Sequence, residues 1–423
     1  MPSFNRINAV SPLFVRRSFS QGRCFSMLLL LALVLAFPAA ALPETAPGFA
    51  IAAGEKSFML PFEMIDNRVF VDVRLNGRGP FHFILDTGSG GFSLFRNVAD
   101  SLGVHVEDAG EGHGVGEKSV RYGATTIGEL RLGDLTFTNV PFDVLPSMDA
   151  DQVFGTKPVD GVFGMDIFQR MVVKHDYVHH ILTFTLPEAY DYHGTGAIVR
   201  FALPAQIPVV DAVLDGVPGK FGIDTGARSA LLLYGPFVAQ NGLQQKYDAH
   251  FQGVTGWGIG GPVRSLLARA KELEIGDVPV HDLVIRLSTQ KTGLTTASTM
   301  AGLIGPDVLS QFDVTFDYAR SRIIFEKNEN YGRRDSYDRA GVWMGQAGRH
   351  FTAVDVIAGG PAAEAGVTTG DTILAIDGTG TEKLVLPEVR ERIRRAVPGS
   401  KVTLLLESQG KQRVATITLR DLI

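Results

Sequence analysis

Residues Phe83–Phe95 read FILDTGSGGFSLF, and residues Phe221–Tyr234 read FGIDTGARSALLLY. In each, an apolar run delivers an Asp-Thr-Gly triplet and a second apolar run leaves it. The first copy is Asp86-Thr87-Gly88-Ser89 and the second Asp224-Thr225-Gly226-Ala227. A carboxylate placed after such a run sits at the end of a buried strand, where ionisation is costly unless compensated. The threonine supplies a short hydroxyl, and the glycine lets the backbone turn sharply and come close to the carboxylate. One such triplet is ordinary turn chemistry. Two in matching frames point to a shared site on a pseudo-two-fold axis. The approaches match as well, Asn76-Gly77-Arg78-Gly79-Pro80 before the first and Asp215-Gly216-Val217-Pro218-Gly219 before the second.

The repetition extends outward. Residues 160–184 and 301–325 share Gly161/Gly302, Gly164/Gly305, Asp166/Asp307, Asp176/Asp317, Tyr177/Tyr318 and Phe184/Phe325 at a constant offset of 141. Between each triplet and this block lies another shared piece, RLGDLTFTNVPFDVL at 131–145 and EIGDVPVHDLVIRL at 274–287. The chain from about 58 to 327 therefore reads as an internal duplication. Each half runs from triplet to glycine-rich hairpin, second hairpin and apolar-apolar-Gly segment.

This order resembles the pepsin/retropepsin class of aspartic proteases. The resemblance implies two β-rich lobes of retropepsin size fused in one chain, with a cleft between them. Asp86 and Asp224 would be the catalytic pair, supported by Thr87, Gly88, Ser89, Thr225 and Gly226. Thr87 and Thr225 would bond across the axis. Val162-Phe163-Gly164 and Leu303-Ile304-Gly305 would cross under the loops, and Gly110–Arg121 and Gly253–Val263 would be flaps that exclude solvent. Two departures make the cleft asymmetric. Ser89 is placed to hydrogen-bond Asp86 where Ala227 offers Asp224 nothing, and Gly90-Gly91 faces Arg228-Ser229. Such a dyad holds one shared proton and activates a water, without metal, cofactor or nucleophilic side chain.

Past Phe325, residues 326–339 are polar and charged, as a linker is. Residues 358–378 read AGGPAAEAGVTTGDTILAIDG, which resembles a PDZ domain of the bacterial type. The match runs from Pro361-Ala362-Ala363 through Gly370-Asp371 to Asp377-Gly378, with Leu386–Val397 as the groove helix. Such domains bind an extended peptide by strand addition and hold its terminal carboxylate with backbone groups. Gly341, Val342, Trp343 and Met344 would line that groove and take a C-terminal peptide ligand. An empty-grooved docking module stays open as the other reading.

The expected fold is mainly β, a two-lobed acid-protease pseudo-dimer followed by a PDZ domain. Its divisions are an export signal (1–41), an N-terminal tail (42–57), lobe 1 (58–190), lobe 2 (191–327), a linker (328–338) and the PDZ domain (339–423). Composition agrees: 423 residues exceed one ordinary core, and 48 Gly with 21 Pro favour turn-rich β structure. The leader has four arginines, an apolar stretch at Met27–Phe37 and Pro38-Ala39-Ala40-Ala41, which fits cleavage after Ala41. An uncleaved leader would instead be a membrane anchor. Without it 36 basic residues face 45 acidic ones, a balance that argues against a nucleic-acid partner. The only cysteine, Cys24, precedes the apolar stretch, so the mature chain has no thiol chemistry. Export without disulfides suits a bacterial periplasm.

Three weaker signals are set aside. Gly256–Gly261 matches G-x-G-x-x-G but lacks a strand-to-helix context. His179 and His180 are expected on opposite faces of a strand, away from any metal. Arg390–Arg395 reads as a charged helix face. The functional expectation is an exported aspartic endopeptidase acting on peptides or proteins. Its alternative is a non-catalytic peptide-binding scaffold with duplicated lobes.

Overall fold

The computed structural model describes residues 47–147, 151–204 and 206–423. The export signal expected at 1–41 lies outside the described residues.

Alternating apolar residues in short strands build two similar sheets. In lobe 1 nine strands pair in one sheet, and its inner three are Arg78–Leu85, Gly161–Phe163 and Ser93–Phe95. In lobe 2 the matching three are Val217–Ile223, Gly302–Ile304 and Leu231–Leu233. The duplication holds at the level of register. Gly161 pairs with Phe83 and Phe163 with Leu85 in a parallel ladder; Gly302 pairs with Phe221 and Ile304 with Ile223 in the same way.

A third sheet joins the lobes. It contains Ser57–Pro61, Val172–Asp176 and Ile181–Thr185 from the first half, and Ala197–Arg200, Phe312–Asp317 and Arg322–Lys327 from the second. The halves meet where Val173, Lys174 and His175 pair antiparallel with Phe316, Thr315 and Val314. A single large apolar cluster runs through both lobes.

Of the tail expected at 42–57, the described part is built into the fold. Gly48–Ile51 is a strand paired antiparallel with Leu135–Leu145, and Phe49 lies on Phe137 with ring centroids 5.2 Å apart. Its composition hid this because an edge strand draws its order from its partner. His179 and His180 lie in the tight turn between Asp176 and Ile181 rather than on a strand, and His180 has φ 57°. His179 instead donates its backbone N–H to the Asp176 carboxylate at 2.8 Å.

Residues 339–423 form a separate five-stranded sheet, with Thr379–Gly380 added at one strand, and the helix Leu386–Arg395. Val342, Met344, Phe351, Leu386, Ile393 and Leu404 belong to its own core. The expected linker 328–338 does not behave as a tether. Tyr331 donates to Pro279 O at 2.6 Å, and Asp335 is buried, accepting from Val284 N at 3.0 Å. Arg334 and Asp335 are used in docking, to Asp282 and to Val284 and Arg394, which composition alone cannot distinguish from solvation.

Candidate active site

The strands Arg78–Leu85 and Val217–Ile223 end side by side and deliver Asp86 and Asp224 to one place. Each aspartate is anchored by its crossing segment: Asp86 N donates to Phe163 O at 2.8 Å, and Asp224 N to Ile304 O at 2.9 Å. The threonines then lock the two loops reciprocally. Thr87 N donates to Thr225 Oγ1 at 3.0 Å and Thr225 N to Thr87 Oγ1 at 3.1 Å. Thr87 Oγ1 donates on to Ile223 O and Thr225 Oγ1 to Leu85 O, both at 2.7 Å. Both threonines are fully buried, so these four bonds are closed to water.

The glycines explain themselves by what surrounds them. A Cβ on Gly88 would lie 2.8 Å from Asp224 Cγ, and one on Gly226 would collide with the Asp86 carboxyl. Each loop thus leaves space for the other's carboxyl group. Asp86 Oδ1 accepts from Gly88 N at 2.7 Å and from Gly226 N at 3.2 Å, and the two carboxyl groups lie side by side at Gly88, each acting on the other. Gly164 and Gly305 let the crossing segments pass under the loops, since a Cβ on either would collide with loop carbonyls, those of Gly91 and Ser229 respectively.

The electrostatics are unequal. Burial pushes Asp86 up, against hydrogen bonds from Gly88 and Gly226 and the neighbouring Asp224 carboxyl. Burial pushes Asp224 well above the usual carboxylate range, and the charge of Asp86 adds to this. Asp224 Oδ1 is buried without a partner. The pair can hold one proton between them and present a free lone pair, the minimum for general acid–base work on a water.

Ser89 does not support the dyad as expected. Its Oγ donates to Gly91 O at 3.2 Å, because the turn that brings Ser89 N to Asp86 O favours a bond two residues onward. Gly90, which follows, makes room for the other lobe, since Gln206 Oε1 occupies the space beside it.

On the lobe 2 side the asymmetry has a purpose that the sequence did not show. The turn Asp66-Asn67-Arg68 reaches across from lobe 1. Arg68 Nε donates to Gly226 O at 2.7 Å and Arg68 Nη1 to Asp66 Oδ2 at 2.8 Å. Arg228 Nε donates to Asp66 Oδ1 at 2.7 Å, and Asn67 Nδ2 to Arg228 O at 2.9 Å. Burial alone would raise Asp66, but Arg228, Arg390 and Arg68 together hold it below its ordinary value. The only sequence signal here was a turn at Asp66-Asn67.

The expected flaps lie in the hairpins Glu107–His113/Ser119–Leu132 and Gln252–Gly258/Gly261–Ile275. Their tips touch: Gly116 N donates to Ile259 O at 3.0 Å and Lys118 N to Gly260 O at 3.1 Å. Val115 of the first packs against Leu232, Met300 and Leu303 of lobe 2, and Trp257 of the second against Phe70, Ile84 and Phe154 of lobe 1. Gly256–Gly261 is therefore a hairpin tip and not a nucleotide loop.

Gly341 leads into the edge strand Val342–Ala347, which Val342, Trp343 and Met344 begin beside the helix Leu386–Arg395, but that edge is covered. Residues Gln152–Gly155 of lobe 1 lie against it. Gln152 Nε2 donates to Gln346 O at 3.5 Å, and Arg390 of the helix donates to Val153 O at 2.6 Å, Gln152 O at 2.7 Å and Met344 O. Trp343 stands outside the core of its own domain, with the guanidinium groups of Arg390 and Arg228 over its ring at 4.5 and 5.3 Å. A sequence reading treats the groove as open because the covering segment is nearly 200 residues away.

Among the described residues no cluster of three or more His, Cys, Asp and Glu is placed to hold a metal, and no helix is long and apolar enough to cross a membrane.

Residues 71–167 match the family model described as aspartyl protease, and residues 352–408 match the PDZ domain model. The first match ends before Asp224, so the second carboxylate stands on the register of the repeat. Among solved structures, the aspartic proteinase from Irpex lacteus is similar at 13% identity, over 64% of this chain and 98% of that chain, with a TM-score of 0.41. No curated protein matches. The mainly β chain thus carries an aspartyl protease family segment at 71–167, with Asp86-Thr87-Gly88 within it, and a PDZ domain at 352–408.

Proposed function

We propose that this protein is an aspartic endopeptidase in which Asp86 and Asp224 act as one dyad. The observation that carries this is the pairing of the two carboxyl groups across loops locked by Thr87 and Thr225. One carboxylate takes a proton from a water held between the two. The other carboxyl donates a proton to the scissile carbonyl as the water oxygen bonds to its carbon, giving a tetrahedral intermediate. The proton taken from the water then passes to the amide nitrogen, and the C–N bond breaks as the amine leaves. Protons move within the dyad as a unit, so neither aspartate owns the acidic or the basic role. The flap tips part to admit a peptide and close over it, excluding solvent from the reaction.

The PDZ domain is the recruiting element in the same reading. A peptide C-terminus adds to the strand beginning at Gly341–Met344 and takes the place of residues 152–155. Export completes the proposal: the chain matures at Leu42 and works in a periplasm, which N-terminal sequencing of the secreted protein checks.

Incubation with an unfolded protein between pH 3 and 7 tests the catalytic claim. Wild type should cleave, and Asp86→Asn and Asp224→Asn should each lose at least about 10³-fold in kcat while keeping the folded state. Cleavage surviving both substitutions overturns the aspartic mechanism. A folded wild type inert at every pH, with or without a PDZ ligand, favours the non-catalytic scaffold.

A further inference from the structure

Arg286 lies on the strand Val278–Ser288 and pairs with Leu232. The internal repeat gives its counterpart in lobe 1 as Asp143, which pairs with Ser93 and faces solvent. The same outward position in lobe 2 is covered: Tyr337 lies beside the guanidinium and Arg286 is only 6% exposed. The carboxylates that came with the cover, Asp335 and Asp338, are bonded elsewhere, to Val284 N, Arg394 and Ala340 N. Arg286 Nε and Nη1 have no hydrogen-bond partner, and burial pulls the guanidinium down to about 10.

Two neighbours share this condition. Arg390 Nε and Trp343 Nε1 are also unpartnered, and both residues are more than nine-tenths buried. All three line one largely enclosed cavity of about 20 Å³, together with Arg228, Arg394 and Asp338. Every unpartnered atom carried by these residues is a donor. The acceptors nearby are engaged: Asp338 takes Ala340 N at 2.7 Å, Asp66 takes Arg68 and Arg228, and Asp335 takes Arg394 at 2.8 Å. Among the described residues, the cavity wall carries the guanidinium groups of Arg228, Arg286, Arg390 and Arg394 against one carboxylate, that of Asp338.

We propose that this cavity, at the junction of lobe 2 and the PDZ domain, is a binding site for a small monovalent anion of the size of chloride. A water in the cavity would bring no charge to a guanidinium whose Nε and Nη1 lack a partner, whereas an anion brings charge-assisted bonds. The volume suits one water-sized occupant and excludes sulfate, phosphate and larger carboxylates. The site joins the PDZ domain to the catalytic lobes, since Arg228 on its wall also holds Asp66 and follows Gly226 closely in the chain. Its occupancy therefore stabilises the docked arrangement, independently of whether the dyad cleaves peptides.

Thermal unfolding of the full chain tests this, in sodium chloride against sodium gluconate at equal ionic strength. Chloride should raise Tm saturably by about 2–4 °C over gluconate. Arg286→Gln should abolish the difference, and in gluconate it should be at least as stable as wild type because it removes an unpaired buried charge. Crystals grown in bromide should show an anomalous peak within the cavity. Equal Tm in the two salts, with no bromide peak, means that the cavity holds water only and overturns the proposal. If Arg286→Gln does not fold, the wild-type comparison and the bromide peak decide it.

Discussion

Gly88 and Gly226 are where a single atom decides the geometry of the proposed dyad, because each omits a Cβ that would strike the opposite carboxyl group. Gly226→Ala should lower kcat by roughly 100-fold or more, since ångström misplacement of reacting groups costs that much. Its circular dichroism should stay that of wild type. His175 sets a different limit. It is fully buried at the seam of the lobes, with Nε2 unpartnered, and burial pulls it down to about 3. Between pH 6.5 and 3 the unfolded chain binds a proton that the native imidazole refuses. Stability is therefore full above 6.5 and declines as pH falls, by roughly 3 kcal/mol at pH 4 from this group. His175→Phe, beside Phe168 and Phe316, should flatten that acid slope in urea melts taken at pH 7, 5 and 4. An unchanged slope would place the acid sensitivity elsewhere.

At the scale of elements, the hairpin turn Asp66-Asn67-Arg68 serves the second aspartate loop as a brace. Arg68 holds Gly226 O, and its charge acts to lower both Asp86 and Asp224. Arg68→Met should therefore lower kcat about 10–100-fold with little change in KM. It should also move the acid limb of the kcat/KM profile to higher pH, a shift that mere loosening would not give. Asp66→Asn should cost stability, on the order of 3 kcal/mol, by stranding Arg68, Arg228 and Arg390. This brace marks where the sequence stopped being readable. The triplets, crossing segments and hairpins were legible because each repeats within the chain, with residues whose local geometry has one use. Arg228 read only as a departure from the first loop, and Asp66 only as a turn, because their meaning lies in partners far along the chain. Ser89 failed for the opposite reason: a local bond to Gly91 O outcompeted the expected one to Asp86. The strand at Gly48–Ile51 and the docked residues 328–338 were likewise hidden, since both take their order from surfaces elsewhere in the fold.

At the scale of the whole molecule, the three parts are held in mutual check. Each flap tip packs on the opposite lobe, and residues 152–155 of lobe 1 cover the PDZ edge strand that a peptide would join. Phe154 continues the same segment into lobe 1, where it packs edge-on to Phe70 at 5.5 Å, one strand from the run that ends in Asp86. A peptide in the groove must therefore compete with the chain's own residues, and its apparent affinity falls by the fraction of molecules in which the groove is free. Gly155 offers a way to shift that fraction. It has φ 61°, and a Cβ there would lie 2.6 Å from Gln346 Oε1 and 3.0 Å from Leu386 Cβ. Gly155→Leu should thus disfavour the covered state by strain and by contact together. Fluorescence anisotropy with a labelled peptide ending in an apolar residue and a free carboxylate should show binding about 10-fold tighter than to wild type. The same peptide with an amidated C-terminus should show no such gain. Equal affinities for wild type and Gly155→Leu would mean that residues 152–155 do not compete with the ligand, and that the groove binds from another face or not at all.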